Sequence, residues 1–202
     1  DIKIKNMLSL KDSLAVLKRT NALLEGHFVL SSGLHSPKYI QCAKLLSNPK
    51  NSKKICVSLA KKIKKNFKKI DLILSPAIGG IIIGYEIGKL LNKETIFCER
   101  VKGKFSLRRG FLIKKNSNVL IVEDVITTGK SSLECVNLIK KSKAKILGFA
   151  CLIDRSNKKN LKIKNKKIIS QVKIDVPTYK KNNLPISLKN LPISTPGSRK
   201  LK

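Results

Sequence analysis

The chain has 202 residues, enough for one domain with a real core and a small subdomain, and its 44 basic against 12 acidic residues give a formal charge of +32. No run of about 18 apolar residues occurs, so no spanning helix is expected, and the opening Asp1-Ile2-Lys3-Ile4-Lys5 lacks the apolar core of a signal peptide. The charge admits two readings: neutralisation of nucleic-acid phosphates, or the Lys-, Asn- and Ile-rich habit of an AT-rich genome. Six arginines against 38 lysines, with 4% aromatic residues for base stacking, favour the second. No specific nucleic-acid partner is therefore expected. The lysines of Lys61–Lys69 and Lys158–Lys167 are read as solvated faces or loops. Cys42, Cys56, Cys98, Cys135 and Cys151 have no C-x-x-C spacing and are read as buried free thiols of a reducing cytoplasm.

In chain order, Leu10–Thr20 is an amphipathic helix with Leu10, Leu14 and Leu17 on one face. Gly26–Gln41 holds two short extended runs around a polar turn and reads as a hairpin, with His35 a turn histidine bonded to backbone. Asn48-Pro49 starts a longer helix whose Ile55, Leu59, Ile63 and Phe67 pack the core. Asp71–Leu74 is a buried strand, followed by Ser75-Pro76-Ala77-Ile78-Gly79-Gly80 and an apolar helix from Ile81 to Leu91. The two glycines let backbone N–H groups approach an anion, or serve tight strand–helix packing, and both readings stand. Thr95–Cys98 is the next strand, running into Glu99–Phe111 with five cations. That segment is either a solvated basic hairpin or a selected geometry, since it holds Arg100, Arg108 and Arg109, three of six arginines.

Val119-Leu120-Ile121-Val122 reads as a strand buried on both faces, ending in the paired carboxylates Glu123 and Asp124. Val125-Ile126-Thr127-Thr128-Gly129 then leads into a helix from Lys130, with Leu133, Val136 and Ile139 on one face. Backbone N–H groups from Thr128 to Ser131 suit a phosphate, and the carboxylates suit the hydroxyls of a ribose. Gly129-Lys130-Ser131 is not a P-loop tail, because Asp124 stands where that motif needs glycine. An ATPase acidic strand lacks its phosphate loop, and a plain strand-to-helix turn with a Thr cap leaves the carboxylates idle. Lys145–Ile153 is a further strand ending in Asp154-Arg155, read as a ligand contact or a surface ion pair. Lys158–Lys167 is a loop, Ile168–Val172 is a strand, and the tail carries Pro177, Pro185, Pro192 and Pro196. Alternation of strands and helices over 49–153 predicts an α/β fold, a central mostly parallel sheet flanked by helices. The elements at 75–80, 99–109, 123–131 and 154–155 all fall at carboxyl ends of strands, where such sheets bind ligands.

The Val119–Ser132 stretch resembles the signature of the type I phosphoribosyltransferases, which bind 5-phosphoribosyl-1-diphosphate (PRPP). The Ser36-Pro37-Lys38-Tyr39 segment, Asp154-Arg155 and the closing Thr195–Arg199 narrow the resemblance to orotate phosphoribosyltransferases over Leu24–Arg199. The resemblance implies one phosphoribosyltransferase domain over 1–202, with a core of 46–167 and a hood of 1–45 and 168–202, the Ile168–Val172 strand included. It implies PRPP contacts from Glu123, Asp124, Val125, Ile126, Thr127, Thr128, Gly129, Lys130 and Ser131, and from Ile78 and Gly79 in a diphosphate loop. Arg100 and Lys104 of a neighbouring subunit's mobile loop would complete that site, with Arg100, Lys104 and Asp124 catalytic. Orotate would meet Tyr39, Ile40, Thr127 and Arg155. Mg²⁺ would be held mainly by PRPP, with no direct protein ligand and Asp124 reaching it through water. A cytoplasmic homodimer with shared active sites, acting in pyrimidine biosynthesis, is the assembly implied. Some relatives carry a lysine at the Ser31 position and many bacterial ones carry one at the Gly79 position, and this chain has neither. A purine or uracil phosphoribosyltransferase should lack the Tyr39 hood and Arg155. A PRPP-sensing regulator that binds nucleic acid would need an added module.

Overall fold

The computed structural model describes residues 7–30, 32–157, 161–163 and 165–196. Helix α1 (Leu10–Arg19) is capped by Ser9, whose Oγ accepts from the Asp12 N–H, and β1 (Leu23–Val29) and β2 (His35–Ile40) follow. Short α2 (Cys42–Leu46) leads to α3 (Pro49–Asn66), capped by Asn48 with proline in its first turn. Next come β3 (Leu72–Pro76), α4 (Gly79–Leu91), β4 (Glu94–Val101) and β5 (Lys104–Leu107). Then β6 (Asn118–Ile126), α5 (Lys130–Lys141), β7 (Lys145–Asp154) and β8 (Ile168–Lys173) follow. The tail forms a 3₁₀ turn over Lys181–Asn183, α6 (Ile186–Lys189) and β9 (Ile193–Ser194).

Six strands make the main sheet in the order β5-β4-β3-β6-β7-β8, parallel except for β5, which runs antiparallel to β4. The doubly apolar runs supply side chains to both faces. Ile73, Leu120, Val122 and Leu152 meet Leu17 of α1, Ile55, Leu59 and Ile63 of α3, and Ile83 and Ile87 of α4. Leu72, Leu74, Val119, Ile121 and Phe149 meet Cys135 and Ile139 of α5 on the opposite face. The expected α/β architecture, helices on both faces of a mostly parallel sheet, is the one observed.

The second sheet is the hood, in the order β2-β1-β9: the expected hairpin, with the tail strand parallel to β1. Its boundaries are narrower than the sequence reading set. The Ile168–Lys173 strand lies in the main sheet beside β7, with Phe149 opposite Ile168 and Ile153 opposite Val172. The reason is the burial of β7 from Gly148 to Asp154, which requires a partner along its second edge for its N–H and C=O groups. Helix α1 also belongs to the core, since Gln171 Nε2 of β8 donates to Ser13 Oγ at 2.8 Å. His35 sits in a strand, not in the turn, because the tail reaches across to exchange both backbone bonds between His35 and Tyr179 at 2.8 Å. Its ring Nδ1 lies 2.6 Å from His27 Nε2, and burial pushes its pKa down. The Ser31 position, Lys158–Asn160, Lys164, the Gly197–Arg199 end and the opening Asp1–Lys5 lie outside the described residues.

Candidate active site

Strand β6 delivers the acidic pair, and strand alternation sends the two side chains to opposite faces of the sheet. Glu123 follows Val119 and Ile121 toward α5, where Ser132 Oγ donates to its Oε1. Burial, opposed in part by that hydrogen bond, pushes the Glu123 carboxyl up to about 7. Asp124 follows Leu120 and Val122 toward α4, and its Oδ1 accepts from the Val125 N–H at 2.8 Å. Burial raises its pKa as well.

Beyond the pair, Thr127 and Thr128 lead to Gly129 at φ 73°, in the left-handed region. A Cβ at Gly129 would stand 2.7 Å from Ile163 Cδ1, so both the dihedral and the space call for glycine. The Thr128 carbonyl accepts from the Lys162 N–H at 2.9 Å, which pins the loop to the segment after β7. Gly129 offers no side-chain cap at the amino end of α5 and no acid stands in its first turn, while Thr128 Oγ1 accepts from the Lys130 N–H at 3.4 Å. The other first-turn N–H groups and the dipole of a twelve-residue helix face this loop, an arrangement that suits an anion. The buried stripe of α5 is Ser132, Cys135 and Ile139, with the expected Leu133 and Val136 flanking it as partly buried residues.

At the Ile78-Gly79-Gly80 segment the structure shows tight strand–helix packing of the glycines. A Cβ at Gly80 would come within 3.1 Å of Pro76 Cδ and 3.2 Å of the Val122 carbonyl oxygen, so close packing is real. That packing brings the start of α4, which begins at Gly79 and not at Ile81, against β6. A Cβ at Gly79 would stand 2.7 Å from Asp124 Oδ2, so Asp124 occupies the space a lysine stem would need. Ile78 is 86% exposed beside it.

Arg155 follows β7, and its N–H donates to the Ile126 carbonyl at 2.8 Å, next to the start of the Thr-Thr-Gly loop. Its Nε is buried without a hydrogen-bond partner, and burial lowers its pKa. The alternative of an Asp154–Arg155 surface pair is not what forms. Asp154 is buried, accepts from the Ser156 N–H at 2.8 Å and pairs with Lys173 Nζ at 3.8 Å. In the hood, Tyr39 is partly exposed with its ring 5.8 Å from Phe28, while Ile40 packs against the core. The chain after Ile40 reaches the site at Cys42, whose Sγ donates to the Asp124 carbonyl at 3.9 Å.

Arg100 and Lys104 are not brought beside the acidic pair within the single chain. They sit on the hairpin β4–β5, whose two-residue turn Lys102-Gly103 has φ of 48° and 79°. Strand β3 stands between β4 and β6. Arg100 instead forks onto Glu134 of α5 at 2.7 and 3.2 Å and stacks 4.1 Å from the Phe105 ring centroid. Arg109 pairs likewise with Glu99 at 2.9 Å. Sequence reasoning missed Ser132 and Glu134; only their places on the same helix as the loop pointed to them.

A phosphoribosyl transferase domain model matches residues 43–182. An orotate phosphoribosyltransferase of Parvibaculum lavamentivorans is 47% identical over 183 residues, covering 90% of this chain and 93% of that protein. One of Methylorubrum extorquens is 43% identical over 192 residues, covering 95% and 97%. Among solved structures, the orotate phosphoribosyltransferase of Aeropyrum pernix aligns with a TM-score of 0.63 at 22% identity, covering 79% of this chain and 92% of that one. With that extent of match the chain belongs to the phosphoribosyltransferases, in the orotate phosphoribosyltransferase family.

Proposed function

We propose that this protein transfers ribose 5-phosphate from PRPP to N1 of orotate, releasing orotidine 5′-monophosphate and diphosphate. The observation that carries this reading is Arg155: a guanidinium with a buried, unpartnered Nε at the edge of a phosphate-type loop. A guanidinium with a buried, unpaired N–H calls for an anionic partner, and the carboxylate of orotate, absent from uracil and the purines, would supply one. Tyr39 and Ile40 would pack on the pyrimidine from the hood, and Thr127 would bond it. Val125 to Ser131 would seat the 5′-phosphate at the α5 end, and Ile78 and Gly79 the diphosphate at the α4 end.

In the reaction, N1 bonds to C1′ as the C1′–O bond to diphosphate breaks, the electron pair leaving with diphosphate and the N1 proton being released. Orotate is already anionic, so orientation by Arg155 and the hood matters more than a general base. Glu123 and Asp124 would accept from the ribose hydroxyls and lie near the positive character that develops on the sugar. Mg²⁺ suits this donor set as a metal held by the substrate. Among the described residues no three His, Cys, Asp or Glu side chains cluster, whereas Asp124 is a carboxylate that could reach the ion through water. When bound, the ion would neutralise charge on the diphosphate.

Because Arg100 and Lys104 lie away from the acidic pair in their own chain, we assign them to the site of a second copy in a homodimer. Ile82 (50% exposed) and Tyr85 (63%), three residues apart on α4 and lining one apolar pocket with Phe97, support that assembly as an exposed apolar patch in a strongly cationic chain. Closure of the 100–109 segment over that site would exclude water from PRPP. The five buried free thiols suit a reducing compartment, the cytoplasm. The test is turnover of PRPP with orotate in the presence of Mg²⁺, run beside uracil, adenine and hypoxanthine. Activity with orotate alone is expected. Equal use of another base would overturn the reading.

A further inference from the structure

Glu123 is 7% exposed, and Ser132, its hydrogen-bond donor, is fully buried at 0%. Among the described residues this is the carboxylate's only hydrogen bond, and it forms no ion pair. The titratable groups that act on it are Cys151, opposite it on β7, Cys135, three residues beyond Ser132 on α5, and, through its charge from the other face of the sheet, Asp124. The Cys135 thiol contacts Cys98 of β4. None is a cation, so one hydroxyl offsets the burial of this carboxylate from within the protein. A helical serine commonly turns to the carbonyl four residues back, as Ser142 does to Leu138 at 3.1 Å, whereas Ser132 donates to Glu123.

We propose that Ser132 is a positioning residue for PRPP, tying Oε1 of Glu123 inward so that Oε2 is held ready for a ribose hydroxyl. Ser132 lies outside the Glu123–Ser131 stretch assigned to PRPP from sequence, and it touches no substrate itself. The inference rests on the proposed role of Glu123 in holding the ribose. A serine in this helix therefore sets affinity for the phosphoribosyl donor, while orotate recognition belongs to the hood and Arg155.

The test is a double-mutant cycle read on PRPP. Ser132→Ala should raise the KM for PRPP roughly tenfold, the scale of one hydrogen bond to a charged group, with kcat changed by less than about threefold. Ser132→Thr, which keeps the donor, should recover most of the loss. In a Glu123→Gln background Ser132→Ala should add less than about twofold. PRPP dissociation constants from calorimetry give the same comparison for any variant with too little turnover. Should Ser132→Ala fold poorly, Ser132→Cys, of similar size and a weak donor, replaces it. An equal tenfold loss in the Glu123→Gln background, or a loss confined to kcat or to the KM for orotate, would overturn the inference while leaving the function intact. An unmodified protein that neither binds PRPP nor turns over orotate would overturn both.

Discussion

Replacing Gly79 by alanine separates binding from stability in a way the geometry makes quantitative. The added Cβ would stand 2.7 Å from Asp124 Oδ2 and 2.9 Å from both Cγ and Oδ1, too close for the carboxylate to stay. Asp124 must turn away, giving up the 2.8 Å bond from the Val125 N–H. A hydrogen bond to a charged acceptor is worth about 1.5–3 kcal/mol. Against that loss, alanine replaces glycine at the first residue of α4, which returns up to about 1 kcal/mol of helix propensity. The carboxylate is only partly buried by surface area and can swing toward water, which reduces the cost further. The net stability change should be about 1 kcal/mol or less, measured by urea denaturation. Affinity for PRPP should fall about tenfold or more, because Asp124 no longer sits where it would meet the ribose. In an Asp124→Ala background the new methyl has no carboxylate to displace, and Gly79→Ala should change PRPP affinity by less than about twofold. A full loss in that background would refute the steric account, and no loss in the unmodified protein would remove Asp124 from the PRPP site. For the same reason Gly79→Lys should weaken diphosphate binding: its stem collides before its charge can help.

The Glu123 carboxyl is raised by burial from 4.5 to about 7, so the folded state holds a proton that the unfolded state has lost. Its contribution to stability is complete below about pH 4.5 and is lost as pH rises through about 7, on the order of 3 kcal/mol in all. Thermal melts between pH 4.5 and 8 should show this decline, and Glu123→Gln should flatten it; an unchanged slope would place the titration elsewhere. Gly129→Ala should destabilise by about 1–3 kcal/mol, from left-handed strain and from a contact at 2.7 Å with Ile163. Adding Ile163→Ala should remove the steric share only. Mixing Asp124→Asn with Lys104→Ala under subunit exchange should restore about a quarter of the unmodified activity, because half the dimers then hold one intact site. No recovery after proven exchange would return Lys104 to its own chain.

The sequence carried the parallel sheet and the central motif because both rest on local patterns. Val119–Val122 is apolar on both faces, and the Thr-Thr-Gly loop joins a strand to a helix without a gap. Even the split of Glu123 and Asp124 was implicit in the two-residue period of a strand. The place of β8 was not legible: the Lys- and Asn-rich connection before it carries no periodicity, and nothing local says which edge Ile168–Lys173 joins. The parking of Arg100 on Glu134 is a contact across 34 positions, invisible to spacing rules. Ser132 looked like one of two ordinary serines in a helix, and only the packing of α5 over β6 gave it a partner.

Recognition of the orotate carboxylate by Arg155 is tested most directly by steady-state kinetics of Arg155→Ala with each substrate varied in turn. The Nε of Arg155 is buried and has no hydrogen-bond partner among the described residues. Removing it should raise the KM for orotate by roughly ten- to a hundredfold, the scale of a charge-assisted hydrogen-bonded pair, with the KM for PRPP within about twofold. Equal increases for the two substrates, or an unmodified protein that uses uracil as readily as orotate, would contradict the assignment.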